Sequence, residues 1–414
     1  MGEKQFGLLG RKLGHSFSPK IHSLLGDYPY DLFEVEPEDV EDFLCRGDFS
    51  GLNVTIPYKK TVIPFCAQLS PAAQRIGSVN TLLRREDGTL YGDNTDYDGF
   101  LYLLKSAGAQ VAGKKALVLG SGGASLTVRT VLVDLGAGEV VVISRTGENN
   151  YQNLHRHADA QLIVNTTPVG MYPNTGVSPV DLGLFPQCEG AFDLIYNPAR
   201  TQFLLDGQRR GMLWANGLGM LVAQAKAAEE HFFSRTIADG ENERILSALR
   251  HQMENIVLIG MPGCGKSTVG AALAALTGRE AVDIDAEIER RAGCTIPEIF
   301  ARGGEAEFRR LEHQATAEAG KRTGCILLTG GGVVKTPENY GALRQNGRIY
   351  HLLRDVDALP TDGRPLSQGA DLAAMWQARK PLYERFRDTV IDNNGPAEET
   401  AQAIWRDFCA YSGD

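Results

Sequence analysis

A glycine-rich segment that ends in lysine and serine is the strongest chemical signal in this sequence. Residues 260–267 read Gly-Met-Pro-Gly-Cys-Gly-Lys-Ser, after an apolar run and before a stretch of helical periodicity. In such a loop, backbone N–H groups and the helix N-terminus bind phosphate, the lysine reaches the β- and γ-phosphates, and the hydroxyl can ligate Mg²⁺. An incidental glycine turn is the alternative, which the agreement of motif and context disfavours. The predicted contacts to ATP or GTP are Gly263, Gly265, Lys266, Ser267 and Thr268, with Ser267 also a metal ligand.

Two aspartates follow on the next predicted strand, Ala281-Val-Asp283-Ile-Asp285. Alternate residues of a strand point to the same side, so both carboxylates could face one site. One of them could then serve Mg²⁺ while the other serves an acceptor hydroxyl. An acidic strand end that caps a neighbouring helix remains the alternative.

Further along, Arg309 and Glu312 have helical i, i+3 spacing, so the carboxylate can brace the guanidinium. Taken alone, this pair would be an ordinary ion pair. Gly330, Gly331 and Gly332 end a predicted buried strand without side chains, which allows close approach of a ligand.

These motifs, in this order, resemble the shikimate kinase family over about residues 254–410. The resemblance implies that Asp285 holds the acceptor hydroxyl and that Arg309 and Arg379 bind the substrate carboxylate, with Gly331 and Gly332 beside it. It also implies that Arg364 closes over the transferring phosphoryl group. The lid that carries Arg364, about residues 355–368, is short.

Hydroxyl, amide and charged side chains recur in short segments of the N-terminal half. These are Ser16-Phe-Ser18-Pro, Asn53-Val-Thr55-Ile-Pro-Tyr-Lys59, Gly-Ser-Val-Asn80 and Asn-Thr-Asp96. One by one, the serines could cap a helix and the others could be turn residues. In this order they resemble the shikimate dehydrogenase family over about residues 4–235. The resemblance implies that Lys59 and Asp96 are the catalytic pair. The implied substrate contacts are Ser16, Ser18, Asn53, Thr55, Asn80, Tyr196 and Gln224.

A second glycine turn follows the apolar run that begins at Lys115, but the third glycine of the dinucleotide fingerprint is replaced by Ser125. The next predicted strand ends in Ser144-Arg145-Thr146, and an arginine there favours the 2′-phosphate of NADP. The stretch 147–164 is too short for the helix and strand that the family usually has, and it begins without a second basic residue. The predicted cofactor contacts are Gly120, Ser121, Gly122, Gly123, Ala124, Arg145 and Thr146.

Apolar runs that end in glycine turns and continue into helical periodicity are typical of parallel α/β units. We therefore predict an α/β protein with two nucleotide-binding units. The predicted parts are an α/β substrate-binding domain over 1–100, completed by a helix at about 218–236, a Rossmann-like NADP-binding domain over 101–217, a partly helical linker over 237–253, and a P-loop kinase α/β domain with a parallel sheet over 254–414.

Composition excludes other classes of function. The chain has 42 basic and 51 acidic residues, a formal charge of -9, and no block of Lys and Arg, so nucleic acid is not an expected partner. No apolar run reaches the roughly 18 residues of a membrane span, and the N-terminus has no secretory h-region. Seven scattered cysteines indicate reduced thiols. We expect a cytoplasmic protein, and the sequence leaves open whether it forms a homo-oligomer.

The two resemblances together imply two successive reactions in one chain. NADPH would reduce 3-dehydroshikimate to shikimate, and ATP with Mg²⁺ would phosphorylate shikimate to shikimate 3-phosphate, so NADP(H), ATP and Mg²⁺ are the expected cofactors. One alternative is a quinate-type dehydrogenase fused to a kinase. Another is a ligand-sensing regulator without turnover, which the retained Lys59, Asp96, Lys266, Asp283 and Asp285 disfavour.

Overall fold

The structure, a computed structural model, describes residues 5–14, 16–359 and 371–412. The chain forms two compact units. The first comprises residues 1–169, 178–196 and 206–246, and the second comprises 170–177, 197–205 and 247–414. The domain boundaries named above remain predictions.

A mixed sheet forms the N-terminal part of the first unit. Its strands are β1 (Phe6–Gly10), β2 (Tyr30–Glu34), β3 (Gly51–Val54), β4 (Cys66–Leu69), β5 (Thr81–Arg84) and β6 (Leu90–Asp93). The helices among them are α1 (Ser18–Leu25), α2 (Val40–Arg46) and α3 (Pro71–Ile76). The strand order is β2-β1-β3-β5-β6-β4, and β5 runs antiparallel to both of its neighbours.

A parallel sheet follows, with strands β7 (Lys115–Leu119), β8 (Glu139–Ile143), β9 (Leu162–Asn165), β10 (Gly190–Asp193) and β11 (Leu213–Ala215). Its order is β11-β10-β9-β7-β8, which places β7, the strand before the second glycine turn, beside β8. Central strands β7 and β9 are apolar and buried, as expected for a parallel sheet covered on both faces. Between β8 and β9 lies a single 3-10 helix, Leu154–His157, so the short stretch 147–164 does lack a further helix and strand.

The helices along this part of the chain are α4 (Asp96–Ser106), α5 (Gly123–Asp134), α6 (Gln202–Arg209) and α7 (Leu218–Phe233). Helices α4 and α7 approach closely at Gly99, where a Cβ would lie 2.5 Å from the carbonyl oxygen of Met220. This approach brings Asp96, at the start of α4, and Gln224, on α7, to the same cavity. The predicted partly helical linker 237–253 contains a helix of 14 residues, α8 (Gly240–Met253).

A five-stranded parallel sheet organises the second unit. Its strands are β12 (Asn255–Ile259), β13 (Ala281–Asp283), β14 (Ile326–Leu328), β15 (Gly347–Leu353) and β16 (Thr389–Asp392), in the order β13-β14-β12-β15-β16. Its helices are α9 (Lys266–Thr277), α10 (Ile284–Ala292), α11 (Ile296–Gly320), α12 (Glu338–Arg344), α13 (Leu372–Phe386) and α14 (Ala397–Ser412). Carboxyl ends of parallel strands meet at one edge, where ligands of such sheets bind.

These sheets confirm the predicted α/β class, with one parallel sheet in each of the two predicted nucleotide-binding parts. One local prediction is wrong: Asp285 does not lie on a strand. Strand β13 ends at Asp283 because the Asp283 carboxylate accepts hydrogen bonds from the backbone N–H groups of Asp285 and Ala286 and so starts α10. Among the described residues there is no disulfide, and no helix is long and apolar enough to cross a membrane.

Candidate active sites

A cavity of about 490 Å³ lies in the first unit. Every substrate-binding and catalytic residue predicted in the N-terminal half lines it. These residues are Ser16, Ser18, Asn53, Thr55, Lys59, Asn80, Asp96, Tyr196 and Gln224. They come from strand ends, turns and helices far apart in sequence, so the fold assembles one polar site from the separate motifs.

Lys59 and Asp96 form an ion pair at this cavity, with 2.5 Å between Nζ and Oδ2. Lys59 lies in the turn after β3, and Asp96 is the first residue of α4, where the helix dipole favours a carboxylate. The side chains are 30% and 16% exposed. A lysine held in this way can donate a proton to a ligand oxygen, while the aspartate orients the ammonium group.

Asn80, which immediately precedes β5, holds the turn before α4 in place through hydrogen bonds. Asn80 Oδ1 accepts hydrogen bonds from Thr95 N at 2.7 Å and from Thr95 Oγ1 at 3.2 Å. These bonds fix the position of Asp96, the next residue, and they use the Asn80 carbonyl oxygen. The amide Nδ2 of Asn80 is therefore the group that we expect to donate to a ligand.

Tyr30 orients the cavity residue Asn53, although Tyr30 itself does not line the cavity. Tyr30 Oη donates to Asn53 Oδ1 at 2.7 Å and Asn53 Nδ2 donates to Thr81 Oγ1 at 3.4 Å, so one N–H of the Asn53 amide is left for a ligand. The Tyr30 ring stacks on His22 with 3.8 Å between ring centroids and 11° between ring planes. Burial lowers the pKa of His22 to about 3, so this imidazole is neutral at physiological pH. Sequence reasoning missed Tyr30 because its contact with Asn53 is made between strands.

Neither of the two N-terminal serines is the N-cap of α1, because that residue is Phe17, which lies between them and makes no side-chain cap hydrogen bond. Helix α1 begins at Ser18, and Ser18 N donates to Ser16 Oγ at 3.2 Å, which supports the helix start. Both serines also line the cavity, so their hydroxyls are placed for a ligand as well.

The predicted dinucleotide contacts lie at the carboxyl ends of β7 and β8. Gly120 has φ +105°, and a Cβ there would lie 2.9 Å from Thr166 Oγ1, so the turn requires glycine. The N–H of Gly120 donates to Ile143 O at 2.8 Å, which places the turn beside the segment that carries Arg145 and Thr146. Both of these residues are exposed. The turn continues through Ser121, Gly122 and Gly123 into α5, and Ala124 also lines the cavity.

A larger cavity, of about 830 Å³, lies in the second unit at the carboxyl ends of its strands. All predicted kinase residues that the structure describes line it. They are Gly263, Gly265, Lys266, Ser267, Thr268, Asp283, Asp285, Arg309, Gly331, Gly332 and Arg379. Arg364 lies outside the described residues.

The loop between β12 and α9 has the backbone that phosphate binding requires. Gly263 and Gly265 have φ of +83° and +96°, which side-chain-bearing residues rarely adopt. Lys266 Nζ donates to the loop carbonyls of Gly260 and Met261 at 2.9 and 3.0 Å, so the ammonium lies against the loop. Asn393 Nδ2 fixes the loop from the end of β16 by donating to Cys264 O at 2.5 Å.

Asp283 Oδ1 caps α10, with distances of 2.9 Å to Asp285 N and 3.2 Å to Ala286 N. The helix-capping alternative is therefore correct for Asp283, yet this residue also lines the cavity. Among the described residues there is no cluster of three or more His, Cys, Asp and Glu side chains that could hold a metal. Ser267 and Asp283 instead supply one hydroxyl and one carboxylate, a set that suits Mg²⁺ completed by phosphate and water.

Asp285 is half-buried, and its Oδ1 is a buried atom with no hydrogen-bond partner among the described residues. Burial, and then the nearby Asp283, raise the pKa of Asp285 above its ordinary value. A Cβ on Gly330 would lie 2.7 Å from Asp285 Oδ1, so the glycine makes room for this carboxylate. Such an oxygen is placed to accept a hydrogen bond from a ligand hydroxyl.

Arg309 and Glu312 form the predicted pair, with 2.6 Å between Nη1 and Oε2. Glu312 is fully buried, so it holds the guanidinium in place rather than forming a solvated surface pair. A Cβ on Gly332 would lie 2.4 Å from Arg309 Nη2, while Gly331 O accepts from Arg379 Nη1 at 3.1 Å. Gly332 thus leaves room for Arg309, and Gly331 holds Arg379 through its carbonyl oxygen. The sequence did not indicate these contacts between the glycines and the arginines.

The family models that match the chain agree with this division. Residues 8–82 match the shikimate dehydrogenase substrate binding domain, and residues 262–408 match shikimate kinase. Curated relatives cover the N-terminal part. The shikimate dehydrogenase (NADP(+)) of Clostridium perfringens is 38% identical over 269 residues, which span 60% of this chain and 98% of the relative. The protein of the same name from Oleidesulfovibrio alaskensis is 43% identical over 242 residues, 53% of this chain and 86% of the relative.

Solved structures give the same result. A chorismate mutase/shikimate 5-dehydrogenase fusion protein from Clostridium acetobutylicum matches with a TM-score of 0.57 and 38% identity, over 60% of this chain and 97% of that one. Shikimate 5-dehydrogenase from Thermus thermophilus in complex with NADP(H) and shikimate matches with a TM-score of 0.53 and 35% identity, over 58% and 98%. The chain therefore belongs to the shikimate dehydrogenase family through its N-terminal part and carries a shikimate kinase domain after it.

Proposed function

We propose that the chain is a bifunctional shikimate-pathway enzyme. Its reductase site converts 3-dehydroshikimate to shikimate with NADPH, and its kinase site converts shikimate to shikimate 3-phosphate with ATP. The proposal rests on one observation. Each of the two cavities is lined by all the described polar residues that we assign to one of the two reactions. The hydroxyl made in the first reaction belongs to the molecule phosphorylated in the second.

In the reductase, NADPH supplies a hydride to the ketone carbon. The glycine turn at the start of α5 fits its phosphates, because nothing lies within 4 Å of a Cβ placed on Gly122 or Gly123, so the helix N-terminus is open to a ligand. Lys59 donates the proton that the developing alkoxide takes up, Asp96 orients the ammonium group, and the neutral amine regains its proton from solvent, to which the Lys59 side chain is 30% exposed. The amides of Asn53 and Asn80 hold the hydroxyl and carboxylate oxygens of the substrate.

In the kinase, ATP supplies the γ-phosphoryl group, and the positive-φ glycines of the loop fit its phosphates. Lys266 offsets phosphate charge, while Ser267 and Asp283 are the residues that would hold Mg²⁺. Asp285 accepts the hydrogen bond, and then the proton, of the acceptor hydroxyl. Arg309 and Arg379 bind the substrate carboxylate through their planar donor forks. Arg364 is proposed to close over the transferring group.

Two alternatives make different predictions. A quinate-type dehydrogenase would reduce 3-dehydroquinate faster than 3-dehydroshikimate, whereas a ligand-sensing regulator would bind ligands without turnover. Two features favour catalysis over sensing, since binding alone requires neither: the ion pair of Lys59 with Asp96, and the buried Oδ1 of Asp285, for which the described part of the chain supplies no partner. A cytoplasmic location and a homo-oligomer remain predictions.

Each reaction is tested alone with purified full chain. We expect NADPH oxidation with 3-dehydroshikimate at a higher kcat/KM than with 3-dehydroquinate, and ADP formation from ATP only when shikimate and Mg²⁺ are both present. Faster reduction of 3-dehydroquinate would favour the quinate alternative. Binding of both substrates without either turnover would favour the regulator.

A further inference from the structure

An arginine that neither resemblance assigns lies at the edge of the kinase cavity. Arg354 directly follows the last residue of β15 and lines the same cavity as Lys266 and Ser267. Its Nε is buried and has no hydrogen-bond partner among the described residues. The nearby Arg309, in contrast, is held by Glu312. Burying a guanidinium nitrogen without an acceptor is unfavourable, so this position favours an anionic ligand.

The backbone on both sides of Arg354 is fixed. Leu353 O accepts from Asn393 N at 2.8 Å, and Asp355 N donates to Asn394 Oδ1 at 3.0 Å. Both bonds join the end of β15 to the turn after β16. Arg354 therefore leaves the sheet at a defined point.

This point is beside the phosphate loop. A Cβ on Gly265 would lie 3.9 Å from Arg354 Nη1, and Gly265 immediately precedes Lys266. Asn393, whose backbone helps to fix Arg354, also donates its Nδ2 to Cys264 O of the same loop. Asn393 thus joins the phosphate loop to the backbone that precedes Arg354.

We propose that Arg354 binds the phosphates of the nucleotide, as a second cation beside Lys266. The inference rests on the proposed kinase function. A guanidinium can donate two parallel hydrogen bonds to phosphate, which suits its position at the loop. Because the strand end fixes Arg354 in the body of the unit, we expect it to act on nucleotide affinity in the ground state, so that KM for ATP changes more than kcat.

The test is calorimetric titration of the full chain, saturated with NADP⁺ so that the reductase nucleotide site is filled. The phosphate probes are Mg-ADP and magnesium pyrophosphate, and shikimate is titrated separately without NADP⁺, because the reductase site would oxidise it with that cofactor. Arg354→Ala should weaken Mg-ADP and pyrophosphate binding by the same factor, about ten- to a hundredfold, as expected for a charge-assisted hydrogen bond. Arg354→Lys should lose less. Arg406→Ala, an exposed arginine on α14, is the matched control and should bind as the parent does.

Shikimate affinity should stay at the parental value, which also shows that the unit is folded. Unchanged Mg-ADP affinity in Arg354→Ala would overturn the proposal. So would a loss confined to Mg-ADP, because Arg354 would then contact the base or ribose, or a loss confined to shikimate. If the parent binds both phosphate probes but does not phosphorylate shikimate, the kinase function is wrong while the role of Arg354 is still decided by the two variants.

Discussion

Lys59 Nζ donates a hydrogen bond of 2.5 Å to Asp96 Oδ2, which joins the turn after β3 to the first residue of α4. Neither element alone could hold the lysine over the cavity. The bond from Thr95 N to Asn80 Oδ1 fixes the same helix start, so the adjacent residues Thr95 and Asp96 position one proposed substrate contact and the proposed proton donor. The geometry therefore links substrate binding to the placement of the proton donor.

Lys59→Ala should lower reductase kcat far more than it raises KM for 3-dehydroshikimate. The reason is that a proton donor acts mainly in the transition state, and a positioned acid contributes about 10²- to 10⁴-fold. Steady-state kinetics of NADPH oxidation measures both constants, and the kinase activity of the same preparation controls for folding. A parental kcat with a raised KM would make Lys59 a binding residue only.

Asp285→Asn should slow phosphorylation of shikimate by about 10²- to 10⁴-fold, because the amide cannot take the proton of the acceptor hydroxyl. Nucleotide binding and the reductase should be unaffected. Burial and Asp283 raise the pKa of Asp285 above 3.8. The carboxylate is the active form, so kinase kcat/KM should fall as pH falls through this raised pKa, and the acid limb of the profile should lie above 3.8. A parental rate for Asp285→Asn would contradict the assigned role.

The described residues that the two family resemblances singled out do line the two cavities, because they lie in short motifs that can be matched residue by residue. The sequence placed Asp285 wrongly, since the Asp283 carboxylate starts α10 through local bonds that strand alternation does not reveal. It also missed Tyr30 and Arg354. Their roles depend on contacts between strands and at the edge of a sheet, and no local motif encodes such contacts.

Tyr30→Phe should raise KM for 3-dehydroshikimate by about two- to tenfold, as expected for one neutral hydrogen bond, with a smaller change in kcat. The ring stays to stack on His22, while Asn53 loses the donor that fixes its amide. Reductase kinetics together with the thermal unfolding midpoint separates orientation from stability. A lower midpoint with an unchanged KM would show that Tyr30 serves only the packing.

Arg145→Ala should remove most of a modest preference for NADPH over NADH. An arginine bonded to the 2′-phosphate contributes about one to two powers of ten in affinity, and NADH lacks that phosphate. Arg145 is exposed beyond β8, and residues 147–151 supply no second base. The kcat/KM values for both cofactors give the ratio, and Arg46→Ala, an exposed arginine on α2, is the control. An unaltered ratio would mean that other residues recognise the adenosine end.

The measurement that tests the central claim most directly supplies one preparation of the full chain with 3-dehydroshikimate, NADPH and Mg-ATP. NADPH consumption and shikimate 3-phosphate formation are followed together, with Lys59→Ala and Asp285→Asn in parallel. We predict that the parent makes shikimate 3-phosphate from 3-dehydroshikimate, that Asp285→Asn stops at shikimate, and that Lys59→Ala forms product only when shikimate is added. NADPH consumption by the parent without any phosphorylated product, while ATP and Mg²⁺ are saturating, would contradict the account.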